Sequence, residues 1–156
     1  MAYEAIDDAE RAAALNAIEG TGGAGAVTGL LTASNLTETD DIEGAVAALE
    51  AVALDDDAPQ VYRDLAALKA VMVQGDTLAI EDRRAMLAGL AAPGSTFRLI
   101  AQEQLALLSV ETGDSATAIE QFVAISQDAE VTRGLRERAQ TLIVALGGDV
   151  TVPAAE

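Results

Sequence analysis

The sequence predicts an all-α fold of about eight helices, packed as stacked antiparallel hairpins in an α-solenoid. Apolar residues recur at the three- and four-residue spacing of helices, and no segment shows the strict alternation that is typical of a half-buried strand. Aromatic residues make up only 3% of the chain and Trp is absent, so Ala, Leu, Val and Ile must build the core, which favours close helix packing. In residues 97–125, small and large apolar residues lie on both sides of Gly113 and Asp114 at the intervals of two helices joined by a tight turn.

The first half of the chain contains four predicted helices. The first covers about residues 3–18 and ends at the glycine-rich stretch 20–25, and the second covers about 24–36. The third, 40–54, has the clearest apolar stripe, and Asp40 with Glu43 matches a D-x-x-E capping box at its start. Three aspartates interrupt this stripe, and Pro59 favours the first turn of a fourth helix over about 58–73, which Gly75 is expected to end.

The second half contains the other four, over about residues 80–92, 96–112, 115–125 and 133–146. Pro93–Gly94 is expected to end the first of these helices, Gly113 the second and Gly147–Gly148 the last. The expected N-caps are Ser95 for the second helix, Asp114 or Ser115 for the third and Thr132 for the last. The sixth helix has two apolar stripes, which indicates two packing neighbours. We expect residues 1–148 to form one domain and residues 149–156 a flexible tail.

Charge and composition restrict the function. The 26 acidic residues outnumber the nine basic ones, and the net charge of -17 would repel the phosphates of nucleic acid. The chain has no Cys and no His, which removes the commonest zinc ligands, the usual general base and the Ser-His and Cys-His nucleophile pairs. We therefore predict a non-enzymatic protein without cofactor or metal. An enzyme that uses an unidentified pair of carboxylates is a weaker hypothesis.

Three motifs invite a functional interpretation. Gly20, Gly22 and Gly25 match G-x-G-x-x-G, but a helix rather than a strand is predicted before them, so we interpret them as a turn between helices. The aspartates at 55–57 lack the ligand spacing of a calcium loop and are expected to cap a helix. The arginines at positions 133, 136 and 138 are expected to pair with acids such as Glu130 and Glu137, or to form a solvated face.

Three stretches resemble bacterial tetratricopeptide-like proteins related to the ancillary subunit of the Sec translocon: DLAALKA at 64–70, AAPG at 91–94 with FRL at 97–99, and LIVALGG at 142–148. The resemblance implies a protein-binding scaffold whose partners are secretion machinery or periplasmic chaperones. It also implies a repeat domain in the periplasm, held at the bacterial inner membrane by an N-terminal helix. No run of about 18 apolar residues occurs in the chain, so such an anchor would lie upstream of Met1; without one, a cytoplasmic location is expected.

In stacked repeats, the second apolar stripe on the first helix of each hairpin lines a concave surface. The residues predicted to form this partner-binding groove are Asp64, Leu68, Val71, Glu103, Leu107 and Val110. They give an apolar floor with acidic rims, which suits a segment that carries basic and apolar side chains. The alternative is that the apolar stripes form a homodimer, and the domain has no groove ligand.

Overall fold

The computed structural model describes residues 20–150, which fold into α-helices connected by short turns and contain no strand. The seven helices of this part of the chain are α1 (Gly22–Glu38), α2 (Ile42–Ala53), α3 (Gln60–Gln74), α4 (Ile80–Leu90), α5 (Arg98–Glu111), α6 (Ser115–Gln127) and α7 (Arg133–Ala145), with a 3₁₀ turn at Gly75–Thr77. The predicted all-α class is confirmed. The helix predicted over residues 3–18 and the tail residues 151–156 lie outside the described residues.

The chain divides into two compact units, one ending at Ala79 and the other beginning at Ile80. In the first unit, α2 packs against both α1 and α3. Its core is made of small and medium apolar residues: Ala26, Ala33, Leu49, Val52, Ala58, Ala66 and Ala70. The helices approach closely at Gly29, where an added Cβ would collide with a methyl group of Val52. The alanine-rich composition therefore produces the close helix packing that the sequence predicts.

In the second unit, each helix from α4 to α7 packs against the next one along the chain. Phe122 is fully buried and belongs to one core cluster with the small residues Ala106 and Ala118 and the α7 residues Leu135, Ala139 and Ile143. The short connections between α5, α6 and α7 reverse the chain direction twice, so α5 and α7 run in the same direction. Helical hairpins thus build this unit, while a tetratricopeptide-like solenoid of the whole chain stays a prediction.

Most of the predicted helix ends are confirmed. Asp114 accepts a hydrogen bond from the backbone N–H of Thr117 at 3.1 Å, and Thr132 accepts one from Leu135 at 3.4 Å, so both residues are N-caps. Gly75, Gly113 and Gly147 follow the last turns of α3, α5 and α7, and each has a positive φ.

Three predicted boundaries are wrong. The capping box at Asp40 does not form, because the turn after α1 places Asp40 in the left-handed region (φ 63°), and Asp41 instead accepts from the N–H of Gly44 at 3.0 Å. Ser95 is not an N-cap: its hydroxyl accepts from the N–H of Phe97 at 3.3 Å within a turn, and α5 begins at Arg98. The glycine-rich stretch is only partly a turn, since α1 already begins at Gly22.

Candidate functional site

An ion pair between Glu103 and Arg138 connects α5 to α7. Nε and Nη2 of Arg138 donate to the two carboxylate oxygens of Glu103 at 2.9 and 3.0 Å, which is the bidentate geometry of strong guanidinium–carboxylate pairs. The Glu103 side chain is only 9% exposed, whereas that of Arg138 is 55% exposed. The hydrogen bonds to Glu103 raise the pKa of Arg138, so this guanidinium stays charged. The pair is thus a contact between two helices that are not consecutive in the chain.

Apolar groups lie beside this pair on both helices. Leu107, one turn after Glu103 on α5, is 36% exposed. On α7, a depression of about 410 Å³ is lined by Gly134, Glu137, Arg138, Thr141 and Leu142. Because α5 and α7 run in the same direction, Leu107 and Leu142 lie on the same side of the ion pair, each four residues after one of its members. We call this surface, formed by Glu103, Leu107 and the five residues of the depression, the α5/α7 face.

The carboxylates at the α5/α7 face are each bound by an arginine. Glu103 is held by Arg138, and Glu137 accepts from Nε of Arg133 at 2.7 Å. At the C-terminal end of α5, Glu111 accepts from Nη1 of Arg83 at 2.9 Å, and this hydrogen bonding lowers the pKa of the Glu111 carboxyl. Both carboxylates of this face are thus paired with an arginine, although the whole chain carries -17.

The predicted groove residues have different surroundings. Leu68 and Val71 on α3 are buried, with 3% and 4% of their surface exposed. Asp64, also on α3, accepts a hydrogen bond from Gln60 at 2.6 Å. In the second unit, Glu103 is buried in its ion pair and Val110 packs against the core around Phe122. Leu107 is the exposed apolar residue of the six, and its role in binding stays a prediction.

The α7 side of this face is not among the residues that the sequence predicts for binding. Two features of the sequence could have indicated this side: Gly134 lies inside a helical pattern, and Arg138 belongs to the cluster of three arginines. Of that cluster, Arg133 pairs with Glu137 as expected, while Nε of Arg136 donates to the backbone carbonyl of Ser126 at 3.0 Å. Glu130 is bound by Arg98 rather than by these arginines.

The prediction that the aspartates at 55–57 cap a helix is wrong, because the N-cap of α3 is Pro59 and no side chain caps this helix. Asp55 accepts from the backbone N–H of Asp57 at 3.0 Å, and Asp56 pairs with Arg63 at 3.1 Å across the α2–α3 connection. Within residues 20–150, no group of three or more carboxylates is arranged to hold a metal ion. The same part of the chain has no helix that is both long and apolar enough to cross a membrane.

The fold defines the described part of this chain as an all-α helical-hairpin protein. Comparisons with protein-family models, with curated proteins and with solved structures find no match for the chain.

Proposed function

We propose that the protein is a non-enzymatic interaction scaffold, which binds a segment of another protein on the α5/α7 face. The observation that carries this proposal is the exposed Leu107 next to a depression on α7, with the Glu103–Arg138 pair between them. A partner segment that covers Leu107 and Leu142 would remove apolar surface from water. Binding would bury these groups reversibly, on two helices that the ion pair connects.

The composition and the polar contacts support a scaffold over an enzyme. Without His and Cys, acid–base or nucleophilic chemistry would depend on carboxylates, hydroxyls or lysine. The carboxylates of Glu103, Glu111 and Glu137 are each engaged by a guanidinium. The hydrogen bond from Arg83 lowers the pKa of Glu111, whereas a general acid needs a raised pKa.

The resemblance to the translocon subunit family suggests the partners: secretion machinery or periplasmic chaperones, met by a domain at the periplasmic side of the inner membrane. Cross-linking in cells followed by mass spectrometry tests this assignment. We expect components of the secretion apparatus or its chaperones among the cross-linked proteins. Recovery of cytoplasmic proteins alone would contradict the assignment.

The role of the face itself is tested with Leu107→Glu. The added carboxylate would require desolvation on binding, so we expect the variant to lose partner capture while its helix content, measured by far-ultraviolet circular dichroism, stays unchanged. The matched control is Leu54→Glu, because Leu54 is 81% exposed and lies in the first unit. Equal capture by the two variants would exclude the α5/α7 face as the binding surface.

The outer surface of α1 favours a second candidate function, self-association. Val27 and Leu31 are 41% and 52% exposed, and the helix has no charged residue between Gly22 and Thr37. A homodimer could bury this uncharged surface with little electrostatic repulsion. Sedimentation equilibrium should then show a mass that rises with concentration, and Leu31→Glu should abolish the rise. A monomer at every concentration would contradict this alternative.

A further inference from the structure

We propose that a cleft between α1 and α3 binds an amphipathic segment of a partner protein, which places an acidic side chain against Lys69. This cleft belongs to the first unit, whereas the α5/α7 face belongs to the second, so the inference goes beyond the proposed function. Its deepest part is a depression of about 380 Å³ that residues of α1, α2 and α3 line together, among them Ser34, Leu49 and Lys69.

Exposed apolar side chains follow both walls of the cleft. They lie three, seven or eight residues from Ser34 on α1 or from Lys69 on α3, which is the spacing that keeps residues on one face of a helix. They are Val27, Leu31, Val61 and Met72, which are 41%, 52%, 41% and 53% exposed. We call these four residues, together with Ser34 and Lys69, the α1/α3 cleft. A partner that covers it would remove apolar surface of two helices from water.

The α1/α3 cleft is nearly free of acidic residues, although the chain has 26 of them. Between Gly22 and Thr37, α1 has no charged residue, and after Asp64 the only charged residue of α3 is Lys69, which is also the only lysine of the chain. Glu38, the last residue of α1, lines the same depression but forms no ion pair with Lys69. The charge inside the cleft is therefore positive, opposite in sign to that of the whole chain.

Lys69 determines the charge of the occupant. It is half-buried, and within residues 20–150 no carboxylate forms an ion pair with it. A partner that covers the apolar walls would also take water from this ammonium group, and a charge that is buried without a counter-charge is costly. A carboxylate of the partner next to Lys69 would offset that cost, whereas a basic side chain would add repulsion. Apolar side chains at helical spacing on both walls suit a helical segment with its own apolar stripe.

The test is selection of peptides of about 16 residues, or four helical turns, from a random phage-displayed library on the full chain. The library is first depleted on Met72→Glu, which removes peptides that bind elsewhere on the protein. We expect the enriched peptides to carry an apolar stripe and at least one Asp or Glu. Fluorescence anisotropy should show that Lys69→Glu weakens their binding about tenfold or more. Replacing the acidic residue of the peptide by Lys should restore binding to that variant.

The matched controls are Met86→Glu and Arg84→Glu, which make the same kinds of change at exposed positions of α4 in the second unit. Both should bind the peptides as the original chain does, and circular dichroism should show every variant folded. Leu107→Glu should also bind them normally, so a failure of this inference is distinguishable from a failure of the proposed function.

Three results would overturn the inference. The first is that no peptide is enriched after the depletion. The second is that the enriched peptides lack acidic residues and bind Lys69→Glu as well as the original chain. The third is a mass that rises with concentration in sedimentation equilibrium, and stays that of the monomer in Met72→Glu, while no peptide is enriched. That third result would identify a second copy of the chain as the occupant of the cleft.

Discussion

Glu103 is much more buried than Arg138, so replacing one member of this ion pair should change the free energy of unfolding more than replacing the other. Arg138→Met leaves the Glu103 carboxylate, 9% exposed, without the two N–H groups that now bind it. Breaking a fully buried pair by removing one partner costs about 3–5 kcal/mol, and an exposed pair contributes about 0–1 kcal/mol. Because Arg138 is 55% exposed and water reaches that end of the pair, we expect a loss of about 2 kcal/mol in unfolding free energy.

The converse change should be milder. Glu103→Gln removes the buried charge, keeps a hydrogen-bond acceptor and leaves an arginine that water can solvate, so we expect a loss below about 1 kcal/mol. Urea unfolding followed by circular dichroism measures both variants and the double variant, which gives the coupling between the two side chains. If Glu103→Gln were as destabilising as Arg138→Met, or if neither changed the midpoint, the pair would not hold α5 and α7 together as we argue.

Three further predictions concern stability. Gly29→Ala should lower the melting temperature, because overpacking against Val52 costs about 1–3 kcal/mol and outweighs a helix-propensity gain of about 1 kcal/mol. Adding Val52→Ala to this variant should recover part of the loss. A higher melting temperature for Gly29→Ala would contradict the close packing. Thr132→Ala should cost about 1 kcal/mol in a thermal melt through loss of the α7 N-cap, while Thr132→Ser should stay near the original value. Hydrogen bonding from Arg98 lowers the pKa of Asp128. The stability that this ion pair provides is therefore present above the ordinary aspartate pKa of about 3.9 and is lost as pH falls through the lower pKa of the folded state. Arg98→Gln should be destabilised at neutral pH by an amount that shrinks below about pH 4, and a loss of stability independent of pH would refute this prediction.

The sequence predicts most of the fold because helix periodicity and glycine stops are local signals. Thr132 is recognisable as a cap because its neighbours Val131 and Arg133 are not cap residues, and of the two candidates Asp114 and Ser115 it is Asp114 that accepts from the N–H of Thr117. The predictions fail where neighbouring polar residues compete. Asp40 and Asp41 are chemically equivalent, and the geometry of the preceding turn decides which of them caps α2. Ser95 fails for the same kind of reason, since its hydroxyl is used within the turn before α5.

The candidate site was less predictable because it depends on contacts between distant residues. Leu107 could be identified from the second apolar stripe of its helix. Glu103 was expected on an acidic rim, but it is buried and paired with a residue 35 positions later, and no feature of the sequence selects Arg138 from the other arginines. The position of Gly134 beside Arg138 likewise follows from the structure alone.

Site-specific photo-cross-linking in cells tests the central claim, that the α5/α7 face is a docking surface. A benzophenone amino acid replaces Thr141, which lines the depression, or Ala116, which is exposed in the first turn of α6. We expect a discrete adduct with one partner protein at Thr141, which Gly134→Leu removes because leucine would fill the depression, and none at Ala116. No adduct at Thr141, or the same adduct at both positions, would contradict the account.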